Sequence, residues 1–376
     1  MEKGLLIKIL LTIDDFGCQT NGLSISTQRF KKEFEKLGHE VRVLGNEANG
    51  SVDYPLPRQT LPFFQKIIDK QGFQLARPQM KMIKRAVSWA DVVILETPFP
   101  VSAIVGKVAA KKHRKLAATF HIYPENILSS VPFLNYKWTN KLLLNFAKKI
   151  AYRYVTDIFC PTQKVASYLK MNDFTQNLHV VSNGISANYL SSRPKLQEHP
   201  FTLLCIGRFS HEKKQEVLLK ALRYLPQNIR VIFAGQGPLG EKYRKLAKNL
   251  PQKVTFSYYK PDQLQKIMQK SDLVIHCADI EIEGMACMEA FASGCVPIIA
   301  EAPLSSTSSY ALTKNNRFPA GNSKKLAQKI LFWKNHPKQL NEMSIKYQQY
   351  ARTLSSDRSA KKMITILKGM PLTSLH

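Results

Sequence analysis

The chain runs to 376 residues, too many for one ordinary hydrophobic core, so two domains of similar size are expected. Its 44% hydrophobic and 10% aromatic content is that of a globular protein. The formal net charge of +28 calls for anionic partners: nucleic acid, an acidic polymer, a nucleotide substrate or an anionic membrane. The six cysteines (Cys18, Cys160, Cys205, Cys277, Cys287, Cys295) are scattered with no C-x-x-C pair. They read as buried thiols in a reducing compartment, which excludes a disulfide or zinc framework. No apolar run approaches the roughly 18 residues of a spanning helix. The opening MEKGLLIKILLTIDDFG carries a lysine inside its apolar run and two aspartates after it, as a first core strand does and a signal peptide does not. A cytoplasmic protein is expected.

In chain order, LLIKILLTI (5–13) predicts a strand, DDFGCQTNGLSIST (14–27) a loop, and TQRFKKEFEKLG (27–38) a helix ending at Gly38. HEVRVLG (39–45), ADVVILET (90–97) and KLAATFHI (115–122) are further strands, and DIFCPT (157–162) and HVVSNGI (179–185) close the first half. The polar segment SSRPKLQEHP (191–200) reads as a linker. Alternation restarts with FTLLCIG (201–207), NIRVIFAG (228–235), KVTFSY (253–258), SDLVIHC (271–277) and CVPIIA (295–300). From Ser323 the chain reads as helical and basic, with no glycine before Gly369. Strand–helix alternation of this kind predicts parallel sheets with crossover helices. The simplest architecture is α/β: two Rossmann-like domains, 1–192 and 193–350, with a helical tail, 351–376, packing back on the first.

The positive charge is unevenly spread. Residues 1–50 hold 7 Lys/Arg against 7 Asp/Glu, whereas residues 101–150 hold 9 against Glu125 alone. It is densest in KVAAKKHRK (107–115) and NKLLLNFAKKIAYRY (140–154). The second interleaves Leu142, Leu143, Leu144, Phe146, Ile150 and Tyr154 with lysines. That suits an interfacial amphipathic helix, or equally a core helix with a basic outer face. Basic segments contribute on the order of 1 kcal/mol per cation near an anionic bilayer. An anionic membrane is therefore the favoured partner, with Lys111, Lys112, Arg114, Lys115, Lys148 and Lys149 as its candidate surface. Nucleic acid is disfavoured, since no binding module is recognisable.

Candidate chemistry concentrates in the second half. In CIGRFSHEKKQEVLLKAL (205–222) a strand ends at Gly207, Arg208 follows at once, and Lys213 and Lys214 precede a helix. Ligands of open α/β sheets bind at the carboxyl ends of strands, and cations there suit a diphosphate. AGQGPLGEKYRKLA (234–247) supplies a glycine loop with Gly235 and Gly237. EIEGMACME (281–289) places Glu281 and Glu289 on either side of an apparent helix start. Any one of these could be a solvated surface feature; three on successive strand–helix units of one domain point to a donor site.

These segments resemble retaining glycosyltransferases of the GT-B fold, in glycosyltransferase family 4, and the resemblance covers nearly the whole chain. GRFSHEKKQEVLLKAL looks like the family's Gly-Arg…Glu-Lys segment, AGQGP like its glycine loop, and residues 281–294 like its Glu-x7-Glu element. VVSNGIS (180–186) and RFKKEFEKLGHEVRVLG resemble its Asn-Gly turn and its first helix and second strand. The resemblance implies two Rossmann-like domains facing each other across a cleft, and a metal-independent transfer with retained anomeric configuration. It implies catalytic roles for Arg208 and Lys213 on the donor diphosphate, Glu281 on the hexose and His121 at the reaction centre. Glu289 would take the ribose hydroxyls, with Gly284, Met285, Gly235, Gly237 and Gly22 completing the donor site. Where the family has Gly-Phe-Gly after its first Glu, Ile282 and Glu283 precede Gly284 here, so Glu283 rivals Glu281. His121, in ATFHIYPENI, sits just past a strand end with Glu125 following.

The expected activity is transfer of a hexose, glucose from UDP-glucose, to a membrane-borne acceptor such as diacylglycerol, with no cofactor or metal. The enzyme would sit on the inner face of the cell membrane. The alternatives are a polyprenyl-linked saccharide acceptor in capsule or cell-wall synthesis, and a nucleotide-sugar epimerase, for which no acid–base pair is assignable. The non-enzyme alternative is a basic protein binding nucleic acid or acidic polysaccharide.

Overall fold

The computed structural model describes residues 6–18, 21–46, 52–62, 65, 73–129, 135–190 and 200–370. The expected linker lies outside them except for Pro200, as do residues 19 and 20 of the 14–27 segment. The chain forms two compact units, residues 1–183 with 356–376, and residues 184–355.

The first unit is built on strands β1 (Lys8–Asp15), β2 (Glu40–Asn46), β3 (Tyr54–Leu56), β4 (Val92–Leu95), β5 (Lys115–Thr119), β6 (Asp157–Cys160) and β7 (Asn177–Val180). They form one parallel sheet in the order β3-β2-β1-β4-β5-β6-β7. Strands β4 and β6 are buried at every position, because crossover helices cover both faces of such a sheet. The terminal helix Ser356–Gly369 belongs here. Its Ala360, Met363, Ile364 and Leu367 share a core with Leu23, Phe30 and Phe34 of the helix Gly22–Lys36.

The second unit repeats the plan with β8 (Thr202–Ile206), β9 (Arg230–Ala234), β10 (Lys253–Ser257), β11 (Leu273–His276), β12 (Val296–Glu301) and β13 (Arg317–Pro319). All pairs are parallel, in the order β10-β9-β8-β11-β12-β13. In each sheet the winding direction reverses beside the first strand, between β1 and β4 and between β8 and β11. At such a reversal the loops of a doubly wound sheet run in opposite directions, and the carboxyl ends of the strands there are its usual ligand position.

Two local readings change. The segment 14–27 is helix from Gly22 onward, because the Asn21 side chain accepts from the Leu23 N–H and caps the helix. Gly22 is therefore the first helical residue. The edge strands β3 and β13 have three residues each, too few to show an alternating pattern.

Candidate active site

In the second unit, Arg208 lies two residues beyond β8, next to Gly207 (φ +137°). Its guanidinium Nη2 is 3.1 Å from Glu212 Oε1, which also accepts from the Ser210 hydroxyl at 2.5 Å. Burial alone would push the Glu212 carboxyl upward. The Ser210 hydroxyl and the charges of Arg208 and Lys213 outweigh it and hold the pKa below the usual carboxylate range. Glu212 thus stays ionised and aims a guanidinium that remains about one-third exposed. Lys214 takes a left-handed conformation (φ 51°), which turns the chain from Lys213 into the helix Glu216–Ala221.

The glycine loop supports this segment from behind. A Cβ on Gly235 would lie 2.1 Å from Gly207 O, and one on Gly237 would lie 2.6 Å from Phe209 N and O. The loop pairs with the Arg208 segment through Phe209 N–H donating to Gln236 O at 3.0 Å. Close packing of backbone on backbone is enough to require both glycines.

From β11 come the remaining groups. Lys213 Nζ and the Glu281 carboxylate form an ion pair. His276, the last residue of β11, places Nε2 3.4 Å from the same Glu281 oxygen and 3.3 Å from Thr307 Oγ1. The Thr307 hydroxyl donates to Glu283 O at 3.1 Å, so its oxygen has a lone pair to turn toward His276 Nε2. Burial, with Lys213 adding to it against the opposing Glu281, lowers the His276 pKa to about 4. The ring is neutral at pH 7 and stands against the Glu281 carboxylate at ion-pair distance, without hydrogen-bond alignment.

Glu281 and Glu283 part company here. Glu283 is buried and accepts from Tyr310 Oη at 2.9 Å, whereas Glu281 is partly exposed beside Lys213. Its backbone is fixed by pairing of Ile280 and Glu281 with Leu304 and Ser305. The helix Met285–Ala292 follows, capped by Gly284 at φ +86°. A Cβ there would meet Thr307 Oγ1 at 2.5 Å, so only glycine fits. The first intrahelical donors are Cys287 and Met288, both to Gly284 O, which leaves the Met285 and Ala286 N–H groups ahead of the ladder. With no acidic residue in its first turn, this helix end retains its positive dipole. Glu289 lies one turn further on the same face as Met285 and is partly exposed.

In the first unit, the β4 and β5 ends bring Glu96 and His121 together. His121 Nε2 lies 3.3 Å from Glu96 Oε2, within ion-pair distance but without hydrogen-bond alignment, and Thr119 Oγ1 donates to the same oxygen at 2.7 Å. Glu125, the acid nearest in sequence, does not reach the imidazole; its carboxyl is raised above the usual range by burial. Beside them, at the end of β1, Asp14 accepts from Thr97 Oγ1 at 2.6 Å and Ala76 N–H at 3.0 Å, and burial raises its pKa to about 6. Asn183 ties down the helix Gly22–Lys36 by accepting from Ser26 Oγ at 2.7 Å.

Of the six surface cations, Lys111, Lys112 and Lys149 are exposed. Arg114 donates to Ser88 O at 2.9 Å, Lys115 to Lys368 O at 2.6 Å, and Lys148 to Asn172 O at 3.2 Å. Sequence reasoning missed His276, Thr307, Glu212 and Glu96. The strand-tip rule that singled out His121 applies equally to His276 in SDLVIHC and would have found it. Among the described residues, no cluster of three His, Cys, Asp or Glu side chains is placed to hold a metal ion, and no helix is long and apolar enough to cross a membrane.

Paired doubly wound sheets, with cations, carboxylates and a bare helix end gathered where the second one reverses, define a GT-B glycosyltransferase. Residues 190–352 match the family model for glycosyl transferases group 1, and residues 20–189 match that for glycosyltransferase family 4. The chain belongs to glycosyltransferase family 4, a retaining group, and is an enzyme that uses a nucleotide sugar. It is 23% identical to the alpha-monoglucosyldiacylglycerol synthase of Streptococcus pneumoniae, over 78% of this chain and 71% of the synthase. Anabaena HepE, solved in complex with UDP-glucose, has the same fold, with a TM-score of 0.74 and 16% identity over 97% of this chain and 100% of that one. A glycosyltransferase from Rickettsia africae matches with a TM-score of 0.71 and 15% identity, over 96% and 98%.

Proposed function

We propose that this enzyme transfers glucose from UDP-glucose to a membrane-borne lipid acceptor, with diacylglycerol the leading candidate. The observation that carries the donor half is the convergence of Arg208, Lys213 and Glu281 at the β8/β11 reversal, next to the open N-terminus of Met285–Ala292. Arg208 and Lys213 hold the diphosphate and neutralise charge on the departing nucleotide. Cations fixed before the bond breaks need no reorganisation when charge develops. Backbone N–H groups of Met285 and Ala286 assist the phosphates, and Glu289, on the same helix face, takes the ribose hydroxyls. Glu281, paired with Lys213 and beside the neutral His276 ring, accepts from hydroxyls of the hexose. The role expected of His121, a hydrogen bond to the donor sugar, stays part of this reading, with its ring held against Glu96.

The acceptor half is supported by the charge of +28 and by the similarity to a diacylglycerol-glucosylating relative. Localisation at the inner face of the membrane follows from the same reading. The test is UDP release from a panel of UDP-sugars, with and without anionic vesicles containing diacylglycerol. Release from UDP-glucose that depends on the lipid is expected. Turnover indifferent to diacylglycerol removes this acceptor and returns a polyprenyl-linked saccharide. Inertness toward every UDP-sugar overturns the donor assignment.

A further inference from the structure

The helix Lys137–Ile150 buries only Asn140 and Leu144. Three of its large apolar side chains face solvent: Trp138 is 68% exposed, Leu142 64% and Phe146 58%, with Tyr136 at 54% just ahead of the first turn. Positions 138, 142 and 146 are four apart, so they form one stripe about 12 Å long on a single face. Isolated exposed apolar residues need no explanation, but a contiguous row on one helix does.

The charge around the stripe says what covers it. Residues 126–156 contain no Asp or Glu and five cations: Lys137, Lys141, Lys148, Lys149 and Arg153. Lys148 is turned away, donating to Asn172 O and lying 5.4 Å from the Phe174 ring centre. Lys137, Lys141 and Lys149 are exposed, Lys141 at the edge of the stripe and Lys149 at its end. A second copy of this helix would set lysine against lysine, which like charge disfavours. An anionic bilayer offers both things at once: acyl chains for the stripe and headgroups for long cationic stems that can reach outward. Indole and phenol rings prefer the depth at which chains meet headgroups.

We infer that Lys137–Ile150 is the element by which this enzyme docks on an anionic lipid surface, inserting Trp138, Leu142 and Phe146 between headgroups that Lys137, Lys141 and Lys149 neutralise. This deepens the reading of a membrane-borne acceptor, and it moves the contact away from residues 107–115, where Arg114 and Lys115 are committed to backbone carbonyls.

The experiment is flotation of the full chain with phosphatidylglycerol vesicles at low and high salt, for the native sequence and three variants. Replacing Trp138, Leu142 and Phe146 together by Ser should weaken vesicle binding at least tenfold at both salts. Converting Lys137, Lys141 and Lys149 to Gln should weaken it at low salt only, because screening already removes that contribution at high salt. The control, Lys111→Gln with Lys112→Gln, should bind like the native chain. UDP-glucose affinity, unchanged in all three, certifies the fold. Native-strength flotation of the triple serine variant overturns the assignment. So does a native dimer that the same variant converts to a monomer, which would make the stripe a self-association surface. Diacylglycerol-dependent UDP release by the native chain, measured separately, decides the acceptor reading. Lipid-dependent release with unimpaired flotation of the serine variant condemns the helix alone, and flotation lost in the variant without lipid-dependent release condemns the acceptor alone.

Discussion

Lys213 and Glu281 stand 68 residues apart in the chain and meet as an ion pair in which the side chains are 24% and 16% exposed. Two partly desolvated charges at adjoining strand ends hold each other in place before any substrate arrives. A diphosphate then meets an ammonium already positioned, and the carboxylate is left to the sugar.

Glu281→Gln should therefore lower turnover of UDP-glucose by roughly 100-fold, the order seen when one fixed polar contact to a developing charge is lost. Affinity for UDP itself should hold or rise, since Lys213 loses its competitor. Calorimetric titration of UDP beside steady-state kinetics measures both. If UDP affinity falls in step with turnover, Glu281 acts only by placing Lys213 and does not touch the hexose.

Glu289→Ala should weaken binding of UDP and UDP-glucose alike. Charge-assisted hydrogen bonds are worth about 1.5–3 kcal/mol, or roughly 10- to 100-fold in Kd. Unchanged nucleotide affinity would remove Glu289 from the ribose.

Glu96→Gln tests whether His121 needs its buried carboxylate. The amide can still accept from Thr119, so folding should survive while turnover drops about tenfold with nucleotide affinity intact. A variant with native turnover would show that the imidazole is held by its surroundings without Glu96.

Acidification should loosen the second unit before the first. The His276 pKa is depressed to about 4, so its contribution to stability is complete above about pH 6.5, where unfolded His is neutral. It is lost as pH falls toward 4, because the unfolded chain binds a proton that the folded one refuses. The loss approaches about 3 kcal/mol at the acid end. Asp14 in the first unit has the opposite sign. Its pKa is raised to about 6, so its folded state gains relative stability as pH falls through that value. Hydrogen exchange at pH 6.5 and 4.5, corrected for intrinsic rates, should show protection failing first in residues 184–355. His276→Gln should shrink that difference. The reverse order of loss in the native chain would contradict the prediction.

Much of the molecule was legible in the sequence because its signals are local. Parallel strands buried on both faces leave short apolar runs, and crossover helices leave amphipathic ones, so the strands could be read in chain order except for the three-residue edges β3 and β13. Arg208, Lys213 and Glu281 were legible for a related reason: residues just past a strand in such a sheet must emerge at its carboxyl edge. Gly235, Gly237 and Gly284 marked places where the backbone tolerates no Cβ, although not what it touches.

The tertiary structure decided everything that depends on a partner distant in sequence. Glu281 and Glu283 are two residues apart, yet one pairs with Lys213 and the other is buried against Tyr310, because the chain turns between them. His121 finds Glu96 on the neighbouring strand and not Glu125 on its own loop. Lys115 and Lys148 look like free surface cations until folding brings the carbonyl-rich ends of Ser356–Gly369 and Gln163–Met171 within their reach. Trp138, Leu142 and Phe146 would suit a core helix equally well, and only the absence of a covering layer in the described residues turns them outward. A sequence states which side chains can be buried or charged; which neighbour meets each one is set by packing, and that is where burial costs, ion pairs and pKa values arise.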